Sequence, residues 1–394
     1  LNQKSSSGFP LLKLPLLARN IVFALVEKKD LIRLALTSHQ TEHSLQLSDE
    51  KIESVQICFS PFEFSTDSCF YSTITVDLKK GRVKLFCTKG GFKFNMENCR
   101  AEILAKENNW LRTKISSPFE NTLDALRFIY SIFRLAKEAT FCIDYKASEV
   151  SFQHILTHPE FQHWSQLDYN SESIREEDLD LIMGYAEFSR QISVFAYIPE
   201  QYRHKNKFIF QECRYFNARW IQLDELLNLK SAHIIELGQT NFNEEDFKKL
   251  VRTWVRSETD MFFWLYIRGK TDMNGVDELL DGFITVEYSD ARISVLFTLA
   301  KTTSPTRKRE ILAIRQMGNE LLLTAWRTDE RVVEDPKEPE KEFKNVYQIL
   351  QALERKAELE KDAERNRVEI QAVMEELEKL NVRFEDGQAK AEIN

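Results

Sequence analysis

The amino-terminal part of the chain carries an apolar stripe at helical spacing. Leu17, Ile21 and Leu25 recur at every fourth position, with Val22 beside them, which places them on one face of a helix. Pro15 stands just before this stripe. A proline suits the first turn of a helix, because its missing N–H has no partner there in any case. The pattern therefore predicts a helix that begins near Pro15.

A second short helix is predicted directly after the first. Asp30 is a favourable N-cap residue, and Leu31, Leu34 and Ala35 then share one helical face. Two or three short helices bury little surface by themselves. Residues 9–47 are therefore expected to form a helical module that docks on something else.

The next segment, residues 50–118, alternates between apolar and polar side chains. Residues 71–78 alternate throughout, and a turn at Gly81 leads into a further alternating run at 82–86. A strand, a glycine-containing turn and another strand are typical of a β-hairpin. This region predicts an antiparallel β region with one face exposed to water.

Residues 119–330 combine strands with helices and contain a short internal repeat. Residues 174–179 resemble residues 242–247, and each segment follows a short strand and precedes an apolar helix. A strand, a polar loop and a helix opened by acidic residues form one unit of a leucine-rich-repeat-like stack. Alternating residues at 311–326, interrupted by a Gly-Asn turn, predict a closing hairpin.

The last part of the chain is charged and has a seven-residue period. Residues 334–342 form a charged linker broken by prolines. Residues 343–386 then predict a long helix with an apolar seam at every third and fourth position, although Lys356 and Asn366 interrupt its first half. Such a seam suits a coiled coil and self-association. A single helix docked on its own domain would show the same apolar seam, so this alternative fits the pattern equally well.

Composition indicates a large folded protein and argues against a nucleic-acid-binding protein. The 394 residues include 28 Phe and 6 Trp and are 43% hydrophobic, which supports a large core and about two or three domains. The net charge of −8 argues against a nucleic-acid-binding surface. Residues 334–394 hold 11 basic and 17 acidic side chains, a net of −6, so the remainder is almost neutral.

Cysteine usage and hydropathy indicate an intracellular protein. The six cysteines form no C-x-x-C pair and are expected to be buried thiols in a reducing compartment. The start of the chain lacks the charged and apolar regions of a signal peptide. The longest apolar run, residues 262–267, is too short for a membrane span. We expect a cytoplasmic or nuclear location, without membrane contact.

Candidate catalytic and metal sites are weak. His154, His158 and His163 are the closest approach to a metal cluster, but Pro159 disfavours a helix there and no cysteine is near, so ordinary surface or half-buried histidines are expected. The carboxylates at 176–180 open a predicted helix, where they stabilise its amino terminus. Neither feature predicts an enzyme, a metal or a cofactor.

Two further features have competing interpretations. The basic run from Arg307 to Arg309 follows Ser304-Pro305 and could be a nuclear-import signal or a phosphorylation-tuned loop, but a solvated hairpin loop is favoured. Trp254 and Trp264 lie within apolar segments and are expected in the core.

The opening module resembles an F-box. In that motif a Leu-Pro pair precedes short helices that dock on the Skp adaptor of cullin–RING ubiquitin ligases. Leu14 and Pro15 match the pair, and residues 30–38 match the D-L-x-x-L-x-x-x-S form of its second helix. The resemblance implies the following adaptor-binding residues: Leu14, Pro15, Leu17, Ile21, Val22, Leu25, Leu31 and Leu34.

The downstream region resembles the type-2 F-box-associated domain, which occurs mainly in expanded nematode F-box families. Residues 220–227 match its Trp followed by an acidic Leu-Leu helix, and residues 235–237 match its strand. Residues 243–254 match its next helix, which closes with a Trp.

Together the two resemblances imply an α+β protein with an amino-terminal F-box, an antiparallel β region, repeat-like strand–helix units and a long carboxy-terminal helix. The implied function is the substrate-recognition subunit of a Skp–cullin–F-box ubiquitin ligase, without catalytic residues or a cofactor. It would bind the Skp-type adaptor, and a cullin through it, together with an unknown target protein. The alternative is a non-catalytic scaffold that oligomerises through the repeat surface and a coiled coil.

Overall fold

The computed structural model shows a mixed α/β fold, which agrees with the expected α+β class. The structure describes residues 11–392 except residues 27, 36–38, 46–50, 64–68, 79–80, 89–90, 97–98, 105–116, 147–149, 231, 271–279, 281, 290–292, 303, 335–340 and 386. The end of the second predicted helix motif and most of the predicted linker therefore lie outside the described residues.

The chain divides into two compact units, Leu1–Ser171 and Glu172–Asn394. The borders predicted from the sequence, at 47, 118 and 330, do not coincide with this division and stay predictions. Each unit is described separately below.

Unit 1 begins with three short helices after a 3-10 turn at Leu11–Lys13. Their bounds are Leu16–Leu25 (α1), Lys28–Ala35 (α2) and His39–Leu45 (α3). The prediction that Asp30 is the N-cap of α2 is wrong, because α2 begins at Lys28 and Asp30 lies inside its first turn. An acidic residue also stabilises the first turn, since it faces the positive end of the helix dipole.

A mixed sheet forms the remainder of unit 1. Its elements are β1 (Lys51–Glu63), β2 (Cys69–Leu78), β3 (Gly81–Thr88), β4 (Gly91–Met96), β5 (Cys99–Leu104), α4 (Pro118–Ile132), β6 (Arg134–Lys146), α5 (Phe152–Thr157) and β7 (Gln166–Ser173). The strand order is β5-β4-β3-β2-β1-β6-β7. The first five strands pair antiparallel, as predicted, whereas β1, β6 and β7 run parallel. Helix α4 buries Leu123, Leu126 and Ile129 and packs on β2 and β3.

Unit 2 begins with four parallel strands and three helices. Its first elements are α6 (Glu176–Gly184), β8 (Gln191–Tyr197), β9 (Glu212–Asn217), α7 (Leu223–Leu227), β10 (Ala232–Gln239), α8 (Glu244–Arg256) and β11 (Phe262–Arg268). Strands β8 to β11 pair parallel in chain order. The two acidic segments of the predicted repeat open α6 and α8, and Asn243 and Asp246 form a capping box on α8.

An antiparallel half continues the same sheet of unit 2. Its strands are β12 (Thr285–Ser289), β13 (Ser294–Leu299), β14 (Arg309–Met317) and β15 (Glu320–Arg327), and β15 pairs antiparallel with β11. The predicted closing hairpin is present as β14 and β15. Gly318 has φ +61° in its turn, a conformation that glycine adopts without strain. The sequence Asp-Glu-Leu-Leu at residues 277–280 also suits a helix start, but it lies almost wholly outside the described residues.

The long helix predicted over 343–386 is not one helix. Two helices, Val346–Leu359 (α9) and Arg367–Lys379 (α10), are followed by a hairpin of β16 (Val382–Glu385) and β17 (Gln388–Glu392). A 3-10 turn at Glu360–Asp362 separates the helices. Asn381, with φ +61°, lies between α10 and β16. Strand β17 pairs parallel with β12 and so completes the sheet.

The apolar seam of this segment packs within its own unit. Ile349 and Ala352 of α9 and Val373 and Leu377 of α10 are buried in one cluster with sheet residues such as Phe297. The docked alternative therefore describes the seam better than the coiled coil, because these seam side chains are already covered.

A close approach at Gly238 gives a stability prediction. A Cβ at this position would lie 2.1 Å from the carbonyl oxygen of Phe216 on β9. Gly238→Ala must therefore push β9 and β10 apart, and we expect it to lower the free energy of unfolding by about 2 kcal/mol. Gly184→Ala, which meets nothing within 4 Å, is the matched control. Urea denaturation of the two variants checks this, and equal midpoints would contradict it.

Among the described residues, none of the helices combines the length and the apolarity needed to cross a bilayer.

Candidate functional site

Helix α1 presents an apolar surface to solvent. Pro15 occupies the N-cap position, and its carbonyl accepts a hydrogen bond from the Arg19 amide at 3.0 Å. Leu17, Ile21 and Leu25 are 75%, 56% and 81% exposed. Their spacing puts them on one face, and Leu16 is also exposed. Large apolar side chains exposed as a contiguous stripe are typical of an interaction surface.

The helical module also has buried apolar side chains. Phe23 of α1 is buried, whereas Leu17, Ile21 and Leu25 of the same helix are exposed. In α2, Leu31 and Ala35 are buried as well. Helix α1 therefore has one buried aromatic side chain in addition to its exposed apolar face.

The predicted adaptor-binding residues thus fall into three groups. Pro15, Leu17, Ile21 and Leu25 are exposed, whereas Leu14, Val22 and Leu34 are half-buried. Leu31 is buried and offers little surface to a partner in this structure, so its part in the contact stays a prediction.

Contacts from α3 join the helical module to the sheet of unit 1. The Ser131 hydroxyl of α4 donates to the Glu42 carboxylate of α3 and also to the carbonyl of Phe128, the latter at 2.7 Å. Leu45, at the end of α3, is buried. Helix α3 is therefore joined to α4 by a polar contact, and its last residue is buried.

A second open surface lies on the sheet of unit 2. Phe195 and Tyr197 of β8 and Phe216 of β9 are 41%, 46% and 56% exposed, and we call these three side chains the aromatic patch. The rings of Phe195 and Phe216 have their centroids 6.3 Å apart. The neighbouring strand residues Val194 and Tyr215 are buried. Because side chains alternate across a sheet, the patch lies on the face opposite to that core.

Strand pairing shows which other residues share the face of the patch. Trp264 pairs with Thr324, Thr324 with Ala313, and Ala313 with Phe297. Paired residues lie on the same face, and Ala313 and Phe297 belong to the cluster under α9 and α10. The carboxy-terminal helices therefore cover the antiparallel half of this face, while the parallel half carries the aromatic patch.

Sequence reasoning missed the aromatic patch. The sequence did contain a signal for the patch, namely the alternation of Phe195, Tyr197 and Phe216 with the buried Val194 and Tyr215 along their strands.

Trp264, which was expected in the core, is half-buried and stacks on Tyr266 with ring centroids 6.2 Å apart. Trp254 is buried as predicted.

The basic run does not form the expected solvated loop, because Arg307 is buried. One of its terminal nitrogens donates to the carbonyls of Trp254 and Ser257, each at 2.6 Å, and its guanidinium carbon lies 4.0 Å from the centre of the Trp254 ring. The positive charge therefore caps the carboxy end of α8. Lys308 remains exposed.

The candidate metal and acid clusters have structural roles in this fold. His154 and His158 lie against Phe119, with ring centroids 4.4 and 5.4 Å from it, and His163 is exposed. In the acidic segment Asp178 accepts two hydrogen bonds from Arg175, at 2.9 and 2.8 Å. Within the part of the chain that the structure describes, no three His, Cys, Asp or Glu residues are grouped to hold a metal ion.

Comparison with known proteins gives one short similarity. A stretch of 67 residues is 36% identical to part of the E3 ubiquitin-protein ligase hecw-1 of Caenorhabditis elegans. It covers 16% of this chain and 5% of that protein, so the chain spans a small fraction of this relative's length. No family model matches the chain. No solved structure matches it either.

Proposed function

We propose that this protein is the substrate-recognition subunit of a Skp–cullin–F-box ubiquitin ligase. The observation that carries the proposal is the exposed apolar stripe of α1, which begins at a Leu-Pro pair and is presented by a module of three short helices. A stripe of leucine and isoleucine at helical spacing suits helix-on-helix docking, in which a few buried anchors supply most of the affinity.

The remainder of the chain has the properties that target recognition needs. Strands β8 to β11 of unit 2 pair parallel in chain order, and helices α7 and α8 separate the last three of them, an arrangement that supports the proposed leucine-rich-repeat-like interpretation of the type-2 F-box-associated region. Catalysis by such a subunit consists of proximity, because the complex brings a ubiquitin-charged enzyme close to the target. The short similarity to a ubiquitin-protein ligase covers too little of either chain to carry the proposal, which rests on α1.

Adaptor binding tests the proposal directly. The double variant Leu17→Ser, Ile21→Ser removes two anchors of the stripe, and we expect it to weaken binding to a purified Skp-type adaptor at least about 100-fold. Both side chains are exposed, so the thermal midpoint should stay unchanged. Isothermal titration calorimetry measures the first quantity and circular dichroism the second.

Val368→Ser is the matched control, since Val368 is an exposed apolar residue on helix α10. It should bind the adaptor as the unmodified chain does. Equal adaptor affinity for the double variant and the control would show that α1 is not the contact. Absence of adaptor binding by the unmodified chain would overturn the proposal as a whole.

A further inference from the structure

The aromatic patch of unit 2 is flanked by charges that already have partners. Arg214 pairs with Glu212 on its own strand and lies 3.6 Å from the Glu236 carboxylate on β10. Arg268 of β11 lies 3.9 Å from the Glu320 carboxylate on β15. These two arginines and three carboxylates therefore largely compensate one another, with a net charge of −1 among them. An acidic partner would meet arginines that are already paired, and a basic partner would gain at most one excess carboxylate among these five groups.

The size of the patch limits what can cover it. A complete aromatic side chain has roughly 150–250 Å² of surface. The exposed fractions of Phe195, Tyr197 and Phe216 therefore leave about 300 Å² of aromatic surface open. A stable interface between folded proteins needs about 800 Å² from each partner. The patch is much smaller than this, although patches of its size on a monomer are often functional.

We propose that the aromatic patch binds a short, uncharged segment of a target protein, which inserts one or two aromatic or branched aliphatic side chains between Phe195, Tyr197 and Phe216. The compensated charges favour an uncharged segment, and the limited area favours a short segment over a second copy of the chain. This inference rests on the target-binding part of the proposed function. It is independent of the adaptor contact on α1.

Short fluorescein-labelled peptides test the inference with the full chain. All peptides have the same Trp-Leu-Phe centre. The flanking residues are Ser and Asn in the neutral peptide, Asp and Glu in the acidic peptide, and Lys and Arg in the basic peptide. Fluorescence anisotropy should show that the peptide with neutral flanks binds best. Its affinity should change less than about twofold between about 50 and 500 mM NaCl, because no ion pair across the interface is screened.

Two variants locate the binding. Phe216→Ser should weaken binding of the neutral peptide at least about tenfold, which is the effect of removing one interface anchor. Phe188→Ser is the matched control, because Phe188 is equally exposed but contacts His233 away from the patch. It should leave the affinity unchanged. Both variants should bind the Skp-type adaptor as the unmodified chain does, which separates this test from that of the proposed function.

Three results would overturn the inference. The first is no binding of the neutral peptide, or better binding of a charged one with strong salt dependence. The second is equal affinity for Phe216→Ser and the unmodified chain. The third is an oligomer, detected by light scattering, that Phe216→Ser dissociates, because this would assign the patch to a second copy.

Discussion

A chain that ends at Glu334 should fail to fold its second unit. The truncation removes α9, α10, β16 and β17, and with them the side chains that cover Val286, Phe297 and Ala313. It also leaves β12 without its parallel neighbour β17. The uncovered sheet face is apolar and large, so we expect loss of the cooperative unfolding transition, aggregation and binding of a hydrophobic dye.

Size exclusion with light scattering and near-ultraviolet circular dichroism measure this outcome. The full chain should be a monomer. Within the full chain, Leu377→Ala should lower the free energy of unfolding by about 2–5 kcal/mol, because Leu377 is wholly buried. Val368→Ser on the exposed side of the same helix should leave it unchanged. A truncated chain that stays monomeric and unfolds at the midpoint of the full chain would contradict the docked arrangement of these helices.

Among the residues of the basic run, replacement of Arg307 should lower the free energy of unfolding most. Arg307→Met removes the donor of three hydrogen bonds, to the carbonyls of Trp254, Ser257 and Arg309. Buried carbonyls that lose a charged donor keep the cost of their desolvation, so we expect a loss of about 3 kcal/mol in the free energy of unfolding. Burial lowers the pKa of Arg307 to about 10, which still leaves it protonated at neutral pH.

The neighbouring residue supplies the control for this prediction. Lys308 is exposed, and Lys308→Met should change the free energy of unfolding by less than about 0.5 kcal/mol. Arg307→Lys keeps the charge but not the planar fork, and should fall between the two. Urea denaturation of the three variants gives the order. If Arg307→Met and Lys308→Met were equally stable, the capping role of Arg307 would be wrong.

Local patterns in the sequence were sufficient to predict many of the helices and strands. The spacing of Leu17, Ile21 and Leu25 identified α1, and the acidic openings at 176 and 244 identified α6 and α8, since each of these signals lies within one or two helical turns. The pattern did not show that Leu31 is buried while Leu17 is exposed. Both are apolar residues of amphipathic helices, and burial depends on what packs against each face.

The carboxy-terminal segment shows where local patterns stop being informative. An apolar seam has nearly the same spacing in a coiled coil and in a helix docked on a sheet, so Ile349 and Leu377 fit both. Leu380 and Phe384 continued the seam in the sequence, but Asn381 adopts a positive φ, and β16 begins at Val382. The pairing of β17 with β12 depends on residues far apart along the chain. The aromatic patch depends on the same kind of distant pairing.

The position of β17 has a consequence for synthesis of the protein on the ribosome. Strand β12 occupies residues 285–289, and its parallel neighbour occupies residues 388–392. At about 5–20 residues per second, roughly 5 to 20 seconds pass between the appearance of the two strands. During that interval the newly made sheet has an unpaired edge, to which other chains can add strands. Assembly of this unit is therefore expected to finish after translation of residue 392, and to benefit from a chaperone until then.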